Sequence, residues 1–195
     1  LNKWFGKPAT HIIPLSLNID HYSDEISNQS NGKYLLFVGG QFFGNFEGIS
    51  WFIKNVLKKI EYDLVVVGKN MDIYKNQLEI SKSVKVYGEQ DSLANWYENA
   101  IVTVAPIFSG SGMKTKIAES LSFGKKIIGT KEAFMGYENF LSKIGWECNS
   151  SEEFIDVLNN TNLSISDDQA LMLKKVFLDN FSLSAFESKV ASLID

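Results

Sequence analysis

The sequence predicts an α/β domain, a doubly wound parallel sheet of about six strands in the order 3-2-1-4-5-6. Three observations carry that expectation. Short apolar runs recur along the chain: YLLFVGG at 34–40, DLVVVG at 63–68, VKVYG at 84–88, IVTVA at 101–105 and KIIGT at 126–130. Every gap between them holds a helix-length segment and no hairpin turn, so neighbouring strands run parallel. The run at 101–105 is almost continuously apolar, as suits a strand covered on both faces. Right-handed crossovers then leave few solutions other than a Rossmann-like sheet with helices on both sides. A chain of 195 residues with 45% hydrophobic content can bury one good core.

Residues 1–32 read as a connector outside that core. THIIPLSLNIDHYS has one short apolar run and Pro14, and SDEISNQSNGK is a polar stretch. His11 and His21 both fall here and read as surface residues. The domain proper is 33–195. Its first strand ends in a glycine turn, after which Ile49, Phe52, Ile53, Val56, Leu57 and Ile60 recur at three and four. This predicts a core-facing helix, with Asn45 as N-cap and Glu47 in its first turn. MDIYKNQLEI reads as the second helix. After the third strand, Asp91 or Ser92 caps a short helix in which Trp96 and Tyr97 pack.

The strand at 101–105 stops at Pro106, which has no N–H for the ladder. The stretch SGSGMK then offers two glycines and two serines. With Ser111 as N-cap, Met113, Ile117 and Leu121 face the sheet, while Gly112, Thr115, Lys116 and Glu119 share the polar face. Gly124 ends this helix. Beyond Thr130, EAFMGYENF reads as a loop or irregular helix and GWECN as a weak sixth strand. SSEEFIDVLNN reads as a helix capped by Ser150 or Ser151. Residues 166–194 form two helices broken near Asn180 to Ser182, with Leu173, Val176, Phe177 and Leu193 as packing residues.

One detail is wrong for a plain helix. Lys114 and Lys116 fall in the first turn, where the positive end of the dipole should cost each cation about 0.3 to 1 kcal/mol. An anion held there reverses the sign, and glycine-rich amides with two ammonium groups make a diphosphate cradle. The alternative is that both lysines extend into water, with Lys116 paired to Glu119. Topology points the same way as the cradle. In the order 3-2-1-4-5-6 ligands bind where the chain reverses between strands 1 and 4. The loops emerging there, 39–45 and 106–112, are the most glycine-rich turns in the chain, which places a phosphate-bearing ligand between Gly39 and Gly112.

The run P-x-x-x-G-S-G-M-K-T-K-I-x-E-S-L-S-x-G-K-x-I-I-x-T, from Pro106 to Thr130, resembles the nucleotide-sugar motif of GT-B glycosyltransferases, specifically retaining family 4 and its relatives. The resemblance covers roughly residues 9–190. It implies transfer of a sugar, with retention, from a nucleotide-diphospho-sugar of the UDP or GDP type. No further cofactor and no metal is implied, and bacterial surface glycan synthesis is an expected setting. In that family two glutamates with seven residues between them serve this loop and helix. Glu119 matches the second, which grips the ribose; the first, which contacts the sugar, is Ser111 here. Lys114 and Glu119 are the implied catalytic residues. The implied donor contacts are Gly39, Gly40 and Asn45 in the first loop, and Glu89 and Gln90 where the family's backbone meets the base. They continue through Ser111, Gly112, Met113, Thr115 and Lys116 in the motif to Phe134, Met135 and Gly136 on the rim. The family often carries a basic residue in the first loop; GGQFFGNFEG has none. Residues 1–32 then correspond to the linker from a missing N-terminal acceptor domain, the partner that would supply any base, acceptor pocket or peripheral membrane contact. Two other functions fit the same cleft, a noncatalytic nucleotide-binding module and a sugar-nucleotide 2-epimerase.

Composition narrows the partners. A net charge of -4 offers no long-range attraction to nucleic acid or anionic lipid. The chain has no arginine, so a phosphate grip must use amides and lysine ammonium groups. Cys148 is the single cysteine, which excludes an intramolecular disulfide and a cysteine-based zinc cluster and suggests a reducing, cytoplasmic setting. No run of about 18 apolar residues is present to span a membrane.

Overall fold

The computed structural model describes residue 6 and residues 13–19 and 33–194. His11 and His21 lie outside the described residues. Among the described residues six parallel strands form one sheet: β1 (Tyr34–Val38), β2 (Leu64–Val67), β3 (Val84–Tyr87), β4 (Ala100–Ala105), β5 (Ile127–Gly129) and β6 (Gly145–Glu147). Their order is β3-β2-β1-β4-β5-β6, as the sequence predicts. The helices are α1 (Phe43–Asn55), α2 (Lys75–Leu78), α3 (Ala94–Glu98), α4 (Thr115–Ser122), α5 (Leu141–Ile144), α6 (Ser151–Asn160), α7 (Asp167–Asn180) and α8 (Leu183–Ile194). A 3-10 turn, Met71–Tyr74, leads into α2.

The central strands are buried on both faces. Leu35 and Phe37 point into the larger core, while Leu36, Val65, Val67, Tyr97 and Ala100 form a second cluster on the opposite face. This is why their sequence is continuous rather than alternating. The stripe predicted for α1 is buried at Ile49, Phe52, Ile53, Val56 and Leu57, and Ile60 packs against it. Ser150 closes a capping box with Glu153 at the start of α6.

Several local readings are corrected. Helix α1 starts at Phe43, after Phe42 in extended conformation, and has no side-chain cap. Asn45 and Glu47 therefore lie inside the helix, with Glu47 beyond its first turn. Helix α4 starts at Thr115 rather than just after Ser111, because Gly110 and Gly112 take φ of 140° and 69° and keep the preceding loop irregular. Neither Asp91 nor Ser92 is the N-cap of α3, which is Leu93. Leu193 is 42% exposed and packs less than its α7 counterparts Leu173 and Phe177. The connector is not wholly outside the core: Leu17 and Ile19 pack against it, and the Leu17 N–H donates to the Phe181 carbonyl at 2.8 Å.

Candidate functional site

At the carboxyl ends of β1, β2 and β3, against the first turns of α4, lies a cleft of about 330 Å³. Gly39, Gly40 and Asn45 come from the β1–α1 region, Gly68 and Lys69 follow β2, Glu89 and Gln90 follow β3, and Thr115, Lys116 and Glu119 come from α4. Close approach of backbones shapes it. A Cβ on Gly68 would stand 2.1 Å from the Gly39 carbonyl oxygen, and one on Gly48 would stand 1.7 Å from that of Pro106. The Gln41 N–H donates to the Lys69 carbonyl at 2.8 Å, tying the first two loops together.

The floor of the cleft is a polar network laid against the Phe37 ring. Lys116 donates to Asn45 Oδ1 at 2.7 Å, and its ammonium lies 4.1 Å from the Phe37 ring centroid. Asn45 Nδ2 donates in turn to the Gly40 carbonyl at 2.9 Å. The side chain read from sequence as a helix cap is thus spent on a tertiary contact. Burial pushes Lys116 down to about 7, with Glu119 opposing and Lys114 adding to the shift. Burial raises the Glu119 carboxyl, against the opposing hydrogen bond from Tyr97 and the charge of Lys116. The Tyr97 hydroxyl donates to Glu119 Oε2 at 3.0 Å.

The remaining motif residues sit beside the cleft rather than in its walls. Lys114 is turned away: its ammonium donates to the Gly112 carbonyl at 2.7 Å and to Glu132 Oε1 at 2.8 Å. Ser111 and Gly112 are exposed on the connecting loop. Met113 packs toward Gly136, where an added Cβ would meet Met113 Cγ at 2.5 Å. Phe134 is a core residue at 1% exposure and Met135 is 40% exposed. The amides of Phe134, Met135 and Gly136 are bonded within the protein, to Thr130 O, Glu132 O and Glu138 Oε1.

Sequence reasoning missed Lys69 and the polar role of Tyr97. Lys69 directly follows the glycine that ends β2, the place equivalent to Glu89 after β3, and that position was the available signal. Lys69 and Glu89 face each other across the mouth at 3.4 Å, both largely exposed. Such a pair is worth at most about 1 kcal/mol, so a ligand can part it easily. Among the described residues no group of three or more His, Cys, Asp or Glu could hold a metal ion. Cys148 is buried, and its thiol is pushed up to about 12 by burial and by Glu153, Asp156 and Glu147, which makes it a poor nucleophile. No helix among the described residues is long and apolar enough to cross a membrane.

Residues 32–158 match the family described as Glycosyl transferases group 1. No curated protein matches the chain. Among solved structures, sucrose-phosphate synthase of Thermosynechococcus elongatus superposes with a TM-score of 0.75 at 15% identity, covering 99% of this chain and 54% of that one. WaaG, a glycosyltransferase involved in lipopolysaccharide biosynthesis, gives 0.69 at 19% identity, covering 99% and 59%. HepE of Anabaena, in complex with UDP and glucose, gives 0.67 at 12% identity, covering 92% and 55%. At these identities the likeness is one of fold. The chain spans about half the length of the solved structures it matches.

Proposed function

Because this chain belongs to the family Glycosyl transferases group 1, we propose that it is the donor-binding half of a two-domain enzyme that transfers a sugar from a nucleotide-diphospho-sugar. Residues 33–195 form the donor domain and 1–32 the connection to an acceptor half. The observation that supports this reading best is the pairing of Lys116 and Glu119 in one cleft at the switch point of the sheet.

The chemistry follows from those two groups. The Glu119 carboxylate accepts hydrogen bonds from the ribose hydroxyls, and the Lys116 ammonium meets the diphosphate. Departure of the sugar leaves negative charge on the β-phosphate, which a fixed ammonium group and the amides at the start of α4 stabilise in a partly dry site. Lys114 joins them by exchanging Glu132 for phosphate. Transfer proceeds with retention and without metal, and Ser111 stands where a sugar-contacting carboxylate would be expected. The likeness to WaaG supports a role in bacterial surface glycan synthesis, and the buried lone cysteine supports a reducing, cytoplasmic compartment.

Two observations favour a second reading, a noncatalytic nucleotide-binding module: Ser111 is exposed and Lys114 is paired with Glu132. Incubating the two-domain protein with UDP- and GDP-sugars together with a panel of hydroxyl-bearing glycan and lipid acceptors separates the readings. A transferase yields free nucleoside diphosphate and glycoside, and a binder leaves the donor intact. This 195-residue chain alone should bind nucleotide yet transfer no sugar, because exclusion of water and alignment of the acceptor need both walls.

A further inference from the structure

The group least explained by packing is the hydroxyl of Tyr97. Its ring is fully buried, stacked on Phe123 with centroids 4.5 Å apart and planes within 9°, and belongs to the cluster with Leu36, Val65 and Val67. Phenylalanine would fill that space equally well. The hydroxyl instead leaves the apolar cluster and donates to Glu119 Oε2 at 3.0 Å, with Ser120 also beside it. Buried tyrosines keep a hydroxyl where it has a partner, and here the partner is the one carboxylate that lines the cleft from α4.

We propose that Tyr97 is a positioning residue for nucleotide binding, its hydroxyl fixing the Glu119 carboxylate in the orientation that meets a ribose diol. The proposal rests on Glu119 being the ribose ligand. A glutamate's terminal torsion is broad and roughly two-fold, so an unheld carboxylate samples many orientations. Tyr97 is held by an aromatic stack and by the sheet beneath it, and it transmits that rigidity through one hydrogen bond to Oε2. Oε1 is left for the cleft. The same bond favours the charged form, which is the form able to accept from two hydroxyls. The other ionisable groups of the cleft are Lys116, packed beside Glu119, and Lys69 and Glu89 at the mouth.

The test is Tyr97→Phe, titrated by calorimetry with UDP and GDP and with their 2′-deoxy analogues, with thermal unfolding followed alongside. Loss of a hydrogen bond to a charged group should weaken ribonucleotide binding roughly three- to tenfold. The loss should shrink for the 2′-deoxy analogues, and the acid limb of affinity should move to higher pH. Added to Glu119→Gln, the substitution should do nothing further. An equal loss for both sugar types, or no loss, overturns the positioning role. If Glu119→Gln itself leaves binding unchanged, the ribose reading fails first, and that outcome is distinct from a silent Tyr97→Phe.

Discussion

Lys116 and Asn45 stand 71 residues apart in the chain and share a 2.7 Å hydrogen bond, which joins the start of α4 to the first turn of α1 across the sheet's switch point. The bond does more than link two helices. Asn45 also holds the Gly40 carbonyl, so a single side chain sets both the β1–α1 loop and the cation beneath the cleft. Asn45→Ala should leave Lys116 without this partner and weaken diphosphate binding by about five- to tenfold, with a smaller change in thermal stability. Calorimetry and a melting curve on the same sample check both halves of this expectation.

Burial of Lys116 makes nucleotide affinity depend on pH near neutrality. Its free-state pKa is lowered to about 7, and phosphate favours the charged form. Between pH 7 and 9 a diphosphate stays ionised while the free lysine loses its proton. Affinity should therefore fall as pH rises, by up to about tenfold per unit. A flat profile over that range would remove Lys116 from the phosphate site.

Stability without ligand should run in the opposite direction. In the unfolded chain Lys116 titrates near 10.5, so between about 7 and 10.5 the unfolded state binds more protons than the folded one. Stability rises with pH wherever that holds. Lys125, buried beneath the Ala100 and Glu98 carbonyls and lowered to about 8, adds the same sign from about 8 upward. Melting temperature should climb from pH 6.5 to 9, and Lys116→Met should flatten the climb while weakening diphosphate binding.

Glu132 competes for Lys114. The pair is close, at 2.8 Å, with the two side chains 12% and 24% exposed. If Lys114 swings to the diphosphate during binding, Glu132→Gln removes its competitor and should tighten affinity by roughly two- to fivefold. Unchanged affinity would limit the phosphate grip to Lys116 and the backbone amides.

Gly48 fixes the distance between α1 and the motif loop. A methyl group there would stand 1.7 Å from the Pro106 oxygen, far inside contact distance, and the obstacle is backbone rather than a flexible side chain. Gly48→Ala should cost on the order of 2 to 4 kcal/mol and widen the approach of loop 106–112, as overpacking against a rigid neighbour does. Gly112→Ala, which meets nothing within 4 Å, should cost less, through its φ of 69° alone.

The strands and their order were legible because each apolar run is short, doubly buried and separated from the next by a helix's worth of chain. The switch point followed from that order, and so did the β1–α1 side of the cleft; loop 106–112, expected as the opposite side, stands beside the cleft, which α4 and the loops after β2 and β3 line instead. Details that depend on partners distant in sequence were not legible. Asn45 has the residue type of an N-cap, and only the fold shows that its amide is engaged by Lys116 and Gly40. Ser111 likewise has a cap's chemistry, but two glycines with positive φ delay the helix to Thr115. Lys114 and Lys116 are two residues apart and looked equivalent, yet Lys116 faces the cleft and Lys114 faces Glu132, because Lys114 is the extended residue just before α4 while Lys116 lies inside its first turn. Tyr97 read as packing, which it is; its bond to Glu119, 22 residues on, has no local signature.

The most direct measurement is a calorimetric comparison of nucleoside diphosphate with monophosphate on this 195-residue chain, with Glu119→Gln and Lys116→Ala alongside. We expect UDP or GDP to bind with a Kd of about 10 μM to 1 mM and the matching monophosphate at least about tenfold more weakly. Lys116→Ala should close most of that gap, and Glu119→Gln should weaken both ligands by about tenfold. Equal affinity for diphosphate and monophosphate, or affinities untouched by both substitutions, would contradict a donor site built from Lys116 and Glu119.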